Sequence, residues 1–242
     1  MRKYKFDISV ITINYNNSNG LRETLNSVNN QLCKKFEYII IDGCSTDDSL
    51  SVIEKYKERA NIIISEKDNG IYHAMNKGVK MSNGKYVLFL NSGDSFFSNQ
   101  SILNFYKYIN QFDHDFFYGD IFLDDDIRKW TKKSPSSLSY RFFIKDSLPF
   151  PCTLIKKSVI EENNYFDENL KIVSDWKLFI LSYCKLNKSF YYINEEPVVN
   201  FKLDGISNNY PNIISEERAS VLKDDFKNYL QEFENISKLN FP

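Results

Sequence analysis

Two kinds of hydrophobic pattern alternate along the first half of the chain. Residues 7–13 (DISVITI), 37–41 (EYIII), 61–65 (NIIIS) and 85–90 (KYVLFL) are short, rich in β-branched residues and apolar at consecutive positions. Strands buried on both faces of a sheet have this composition. Between them an apolar residue returns every three or four positions: Leu21, Leu25 and Val28 within 20–32, Leu50, Ile53 and Tyr56 within 47–59, Ile71, Met75 and Val79 within 71–81. That spacing predicts amphipathic helices. Continuous apolar strands alternating with such helices predict an α/β fold, a mostly parallel sheet flanked by helices. Right-handed crossovers point parallel strands the same way, so their carboxyl ends share one edge, where ligands of open α/β sheets bind.

The pattern loosens over the second half. Residues 115–133 read as two strands around the acidic turn Asp124–Asp126, 177–186 as a helix, and 189–194 and 197–203 as strands. A long charged helix is predicted over 213–236, with Ile214, Val221, Phe226, Leu230 and Phe233 on its apolar side. The expected organisation is residues 1–110 as the first half of a single domain, 111–210 as a lobe packed on the same sheet, and 211–242 as a helical extension.

Composition narrows the function classes. At 242 residues and 42% hydrophobic, the chain can bury one sizeable core. A net charge of -1 argues against a nucleic-acid binder, which would carry a basic stripe. Cys33, Cys44, Cys152 and Cys184 have no CxxC spacing, and no signal peptide precedes them, which reads as reduced cytoplasmic thiols. His73 and His114 are the only histidines, so a histidine-rich metal centre is excluded. No apolar run approaches the roughly 20 residues that cross a bilayer. Aromatics reach 16% and crowd the later half, for core packing or for a lipid-facing surface.

The residues just past the predicted strands are Asn14, Asp42, Asp68 and Asp94. Carboxylates gathered at one sheet edge repel unless a cation or hydrogen-bond donors neutralise them. Hard cations such as Mg²⁺ and Mn²⁺ favour oxygen ligands, and Mg²⁺ is commonly held by one or two carboxylates plus substrate phosphates. Asp94, after the small Ser92–Gly93 step, suits that arrangement; the plainer alternative is an acid that ends a strand and caps a helix near Gln100. Ser45, Thr46 and Asp47 read as N-cap residues, and Asp68 before Asn69–Gly70 has a turn role as its rival. Nothing local explains Asp42.

The stretches VITINYNN, IIIDGCSTDDS, SEKDNGIYHAMNKG and GKYVLFLNSGD, in this order, resemble the nucleotide-sugar-binding half of the family 2 glycosyltransferases of GT-A (Rossmann-like) fold. KIVSDWKLF and VNFKLDGIS resemble the acceptor-side motifs of bacterial polysaccharide members, extending the likeness to about residue 207. The resemblance implies an inverting, metal-assisted transfer from a nucleotide-sugar donor, UDP-linked, to a saccharide or lipid-linked saccharide acceptor. It makes residues 111–210 the acceptor-side lobe, and implies a cytoplasmic enzyme at the inner face of the membrane. Asn14, Asp42, Asp68, Ser92 and Gly93 would bind the donor, Asp94 would match the last acid of the DxD motif and hold Mn²⁺ or Mg²⁺, and Asp175 would match the catalytic base. Asp175 has a rival reading as a helix N-terminal carboxylate; Trp176 could wall the sugar pocket, and Asp120 could touch the sugar or acceptor or serve a turn.

Several positions depart from the family pattern. The DxD motif is reduced to NSGD, His73 stands where relatives often have Asp, and FPCT (150–153) replaces a His–Gln or similar polar pair. The reduced motif leaves room for a catalytically degenerate sugar-nucleotide-binding subunit. A sugar-phosphate nucleotidyltransferase would open with a glycine-rich, basic phosphate loop, whereas NYNNSNGLRE carries one glycine and one arginine.

Overall fold

The computed structural model describes residues 4–125, 127–203 and 210–227. In chain order its elements are β1 (Phe6–Asn14), α1 (Ser18–Asn29), β2 (Glu37–Asp42), α2 (Ser49–Tyr56), β3 (Ile62–Ser65), α3 (Ile71–Met81), β4 (Gly84–Phe89), β5 (Ser95–Phe96) and α4 (Ser101–Ile109). There follow β6 (Phe116–Tyr118), β7 (Ile121–Asp124), β8 (Lys129–Lys132), α5 (Tyr140–Lys145), a 3-10 turn (Phe150–Cys152), β9 (Thr153–Lys156), α6 (Lys157–Glu162), α7 (Ser174–Cys184), β10 (Phe190–Tyr192), β11 (Val199–Lys202) and α8 (Pro211–Asp225).

A 7-stranded sheet in the order β10-β6-β9-β4-β1-β2-β3 forms the centre. Only β9 runs against the others, pairing antiparallel with β4 and β6. Alternate residues of the apolar strands serve two cores. Ile11, Ile13, Ile39, Ile41, Val87 and Phe89 face α3, α6, α7 and α8, while Ile8, Val10, Tyr38, Ile40, Leu88 and Leu90 face α1, α2 and α4. The uninterrupted apolar runs therefore exist because both faces are covered. A 4-stranded sheet in the order β5-β11-β7-β8 lies beside the larger one.

The predicted strands and helices of the first half match the observed ones within a few residues, and α3 coincides with its predicted span. Three details differ. Leu50 is 49% exposed, because α2 packs through Ser49, Val52 and Ile53. Residues 115–133 hold a third strand: the chain leaves the large sheet after β6 at Gly119–Asp120 and makes the β7–β8 hairpin in the small one. Residues beyond 110 thus supply β6, β9 and β10 to the same sheet as the first half. The terminal helix is observed as Pro211–Asp225; Leu230 and Phe233 of its expected apolar side, Asp126 of the acidic turn and residues 204–207 of VNFKLDGIS lie outside the described residues.

Among the described residues no helix is long and apolar enough to cross a membrane. Among the described residues no disulfide is formed, and Cys152 is buried.

The amino ends of the strands are locked by Glu37, whose buried carboxylate accepts from Ser9 Oγ at 2.5 Å, Asn83 N at 2.7 Å and Asn83 Nδ2 at 2.8 Å. Gly84 N donates to Ser9 Oγ at 2.9 Å. A Cβ on Gly84 would stand 2.6 Å from the backbone nitrogen of Ser9. Gly84→Ala must therefore push β4 away from β1, and a loss of about 2 kcal/mol in unfolding free energy is expected, read by urea denaturation.

Candidate functional site

The carboxyl ends of β1 to β4 converge on one rim. Asn14 and Asp42 are paired in register across β1 and β2, as are Asp42 and Ser65 across β2 and β3. Asp42 is 0% exposed. Its Oδ1 accepts from Asn14 Nδ2 at 2.8 Å and Ser45 Oγ at 2.6 Å; its Oδ2 accepts from Ser45 N at 3.0 Å and Ser65 Oγ at 2.7 Å. Burial pushes this carboxyl up, but the hydrogen bonds from Ser45, Ser65 and Asn14 outweigh it and hold Asp42 below its ordinary value. It stays ionised and joins three strand ends, with no face left open to solvent.

Asp68 lies against this knot. Its Oδ1 accepts from Gly70 N at 3.0 Å, an Asx turn leading into α3. A Cβ on Gly43 would meet its Oδ2 at 2.6 Å, so the Asp68 carboxylate lies directly against the loop after β2. His73, one turn into α3, accepts the Asn69 N–H on Nδ1 at 3.3 Å.

The loop from β1 to α1 bridges the Asp42 side to the Asp94 side. Asn16 N donates to Ser45 Oγ at 2.8 Å, and Asn16 Oδ1 accepts from Thr46 N at 2.8 Å. Asn17 caps α1 through Gly20 N and donates from Nδ2 to the Ser92 carbonyl at 3.1 Å. Thr24 Oγ1 donates to the Asp94 carbonyl at 2.6 Å and accepts from Gly93 N at 3.1 Å. Gly93 has φ +107, a left-handed conformation that side chains rarely adopt. These contacts fold the Asn91–Asp94 turn back over the rim and leave Asp94 7% exposed. Asn91 Oδ1 is buried without a hydrogen-bond partner, and among the described residues no group of three or more His, Cys, Asp or Glu gathers as a metal cluster. Asn14, Asp42, Asp68, Ser92, Gly93 and Asp94 thus share one rim.

Asp175 reaches this edge from the second half of the chain. It sits in the first turn of α7, where Tyr72 of α3 donates its hydroxyl proton to Asp175 Oδ1 at 3.2 Å. The same hydroxyl oxygen accepts from Ser174 N at 3.0 Å. Desolvation raises the Asp175 carboxyl above its ordinary value; the Trp176 backbone N–H, the Tyr72 hydroxyl and the more distant Arg218 guanidinium oppose that rise without cancelling it. A partly buried carboxylate with a raised pKa is a better proton acceptor than an exposed one.

Two expectations are corrected. Trp176 does not wall an open pocket: it is 1% exposed in the core, its Nε1 donates to the Phe143 carbonyl at 2.6 Å, and Arg218 lies 4.9 Å over its ring. Asp120 is 0% exposed and its Oδ1 is taken by Ser134 N at 2.8 Å and Tyr192 Oη at 2.9 Å. Lys133 Nζ stands 2.6 Å from its Oδ2, so Asp120 ties β6 to β10 and the β8 side and has no face for an acceptor. The residues that sequence reasoning missed are supporting ones, Asn17, Thr24, Ser65 and Tyr72; Ser45, expected among the N-cap residues, instead binds Asp42 and Asn16, and Asp48 occupies the capping position of α2. Tyr72 is not among the stripe positions Ile71, Met75 and Val79, and only its hydroxyl contacts give it a place in the site.

Known proteins resemble this chain. The family model described as glycosyl transferase family 2 matches residues 9–173. TuaG of Bacillus subtilis, a glycosyltransferase named for teichuronic acid biosynthesis, is 36% identical over 97 residues, 39% of this chain and 38% of that protein. The poly(ribitol-phosphate) beta-N-acetylglucosaminyltransferase TarS of Staphylococcus aureus is 26% identical over 208 residues, 76% of this chain and 35% of that one. The chain therefore spans well under half the length of either. The crystal structure of TarS 1–349 in complex with UDP-GlcNAc superimposes with a TM-score of 0.72 at 22% identity, covering 90% of this chain and 64% of that one. The mannosyltransferase PcManGT of Pyrobaculum calidifontis, in complex with GDP-Man and Mn²⁺, does so with a TM-score of 0.60 at 14% identity, covering 82% and 59%. These likenesses show the GT-A fold.

The Asp42 knot can be checked by stability against pH. Asp42→Asn leaves Ser45 and Ser65 donors facing an amide, and a loss of about 2 kcal/mol near pH 7 is expected by denaturant unfolding. Because the folded-state value lies below the ordinary 3.8, the carboxylate's contribution is fully present above that pH and is lost as pH falls below it. The gap between wild type and Asp42→Asn should therefore narrow on acidification below about pH 4.

Proposed function

The chain belongs to glycosyl transferase family 2, and from that membership we propose that it moves a sugar from a UDP-sugar donor to a saccharide acceptor of a cell-surface polysaccharide, inverting the anomeric carbon. The donor occupies the rim formed after β1 to β4, and Asp175 is the general base. The names of TuaG and TarS support the polysaccharide setting, and the UDP-GlcNAc complex of TarS supports the donor class. The acceptor, lipid-linked, would meet the enzyme at the cytoplasmic face of the membrane. The observation that carries this reading is that Asp175, its carboxyl raised by burial, is hydrogen-bonded to the first turn of the helix that follows Asp68.

The chemistry needs one proton acceptor. A nucleoside diphosphate leaves readily, so no acid is required to protonate it, in contrast to a glycosidase. The acceptor hydroxyl oxygen forms the new bond to the anomeric carbon while its proton passes to an Asp175 oxygen. The bond from that carbon to the diphosphate oxygen breaks with its electron pair, and UDP departs. Attack opposite the leaving group inverts the carbon.

Asp94 and Asn91 stand on one turn, joined by the bond from Asp94 N to the Asn91 carbonyl, and both side chains carry oxygen donors, with the Asn91 amide oxygen buried without a hydrogen-bond partner. Oxygen donors of this kind suit a hard divalent cation, Mn²⁺ or Mg²⁺, which Asp94 would hold and for which a diphosphate would supply further ligands. When bound, the cation supplies positive charge against the leaving phosphate oxygens. Asp68 meets the nucleoside at the open side of the rim, whereas Asp42, fully enclosed, acts by fixing Asn14, Ser45 and Ser65 around it.

Release of UDP from a panel of UDP-sugars, with Mn²⁺ and without, tests the assignment. Asp94→Asn and Asp175→Asn should each slow turnover by about 10²–10⁴-fold. Only Asp94→Asn should weaken the Mn²⁺-dependent binding of UDP measured by calorimetry. Wild-type turnover by either variant, or a product with retained anomeric configuration by NMR, would refute it.

A further inference from the structure

The N-terminus of α7, which carries Asp175, has no side-chain cap of its own: Val173 occupies the capping position. Exposed backbone N–H groups at such an end need acceptors. Ser174 N finds one in the Tyr72 hydroxyl, and the three N–H groups before it find one on α8. The Glu217 carboxylate accepts from Lys171 N at 2.6 Å through Oε1, and from Ile172 N at 3.0 Å and Val173 N at 3.2 Å through Oε2. One side chain from the terminal helix thus gathers three consecutive N–H groups of the segment that leads into Asp175.

The next residue of α8 works on the other side of the same turn. Arg218 lies 4.9 Å over the Trp176 ring, and its guanidinium acts on the charge of Asp175 and of Asp146. The helix is anchored independently of these contacts. Val221 and Phe226 are buried in the core shared with α5 and α7, and Asp225 lies 3.6 Å from Lys177 Nζ and 3.5 Å from Lys185 Nζ. A helix pinned by its far end presents Glu217 and Arg218 to the base-bearing turn at fixed height.

We propose that α8 is the positioning element of the active site, with Glu217 and Arg218 as a clamp that sets the orientation and charge environment of Asp175. Glu217 fixes the three residues that lead into α7, up to Val173 at its capping position, and its negative charge lies at the positive end of the helix dipole. Arg218 balances the buried carboxylate while Tyr72 fixes one of its oxygens from the opposite element, α3. Asp175 is then held between two helices that are far apart in sequence, and the terminal helix is part of the catalytic machinery although it contributes no reacting atom. The proposal rests on Asp175 being the base.

The test uses the whole chain, the UDP-sugar it turns over, and three readouts: kcat, UDP affinity by calorimetry, and the acidic limb of the kcat/KM–pH profile. Glu217→Ala should lower kcat by about 10–100-fold, the cost of misplacing a catalytic group by about 1 Å, with UDP affinity unchanged. Arg218→Met removes a cation that opposes protonation of Asp175. The acidic limb should move upward by roughly half a pH unit or more, whereas Arg218→Lys, which keeps the charge, should hold the limb in place. The groups that face Asp175 or Arg218 in this comparison are Tyr72 of α3 and Asp146 beyond α5. If Glu217→Ala does not fold by circular dichroism, Glu217→Gln and the Arg218 pair decide. Wild-type kcat and an unmoved limb in these variants, with Asp175→Asn inactive, would overturn the clamp alone. An active Asp175→Asn would overturn the base assignment, and the clamp with it.

Discussion

A carboxylate without solvent contact is tolerated only where hydrogen-bond donors replace the water it has lost, and Asp42 sets that condition at the centre of the sheet's carboxyl edge. Its four donors come from β1, from the loop after β2 and from the end of β3. Satisfying one buried charge therefore fixes the relative height of three strand ends. The loop after β1 then carries the constraint onward, because Asn16 is bound to Ser45 and Thr46 while Asn17 reaches Ser92. The Asp94 turn inherits its position from Asp42 through these amides, with Thr24 closing it from α1. A rim built in this way is preorganised, which is what a site for a charged diphosphate requires.

Much of the fold was legible because its strands are buried on both faces. A run such as Glu37–Asp42 admits no solvent-facing alternation, and each crossover helix shows its apolar stripe. Legibility fell where contacts are long in sequence and short in element. β6 and β7 are separated by two residues, yet they belong to different sheets, and no periodicity signals that change. Leu50 misled for a related reason: in a helix of 8 residues the stripe is set by Val52 and Ile53, and a neighbouring leucine can face water.

The site was legible at its strand ends and obscure in its supports. Asn14, Asp42, Asp68 and Asp94 could be expected on one edge from topology alone. What no local pattern carries is the state of each acid. Asp42 and Asp120 are both fully enclosed, one by side chains up to 28 residues away and the other by Ser134, Tyr192 and Lys133. Aromatic character likewise says nothing about which face a ring takes, so Trp176 next to Asp175 proved to be core. The sorting of acids into structural and chemical ones depends on tertiary partners.

That sorting gives the two halves of the chain different electrostatic tasks. In the first half, hydrogen bonds outweigh burial at Asp42 and keep it charged, so it serves as a fixed negative post that orders the rim. In the second half burial outweighs the hydrogen bonds at Asp175, and its charge becomes easier to neutralise. A base must lie between these limits: too well solvated and it has little appetite for a proton, too poorly and it is protonated before the acceptor arrives. Desolvation alone would drive Asp175 toward the second failure. The Tyr72 hydroxyl and the Arg218 guanidinium hold it back, and they come from helices on either side of α7 in the sequence. The carboxylate is thus tuned by the packing of α3, α7 and α8 together, and loosening any of the three would alter its basicity before it altered the shape of the rim.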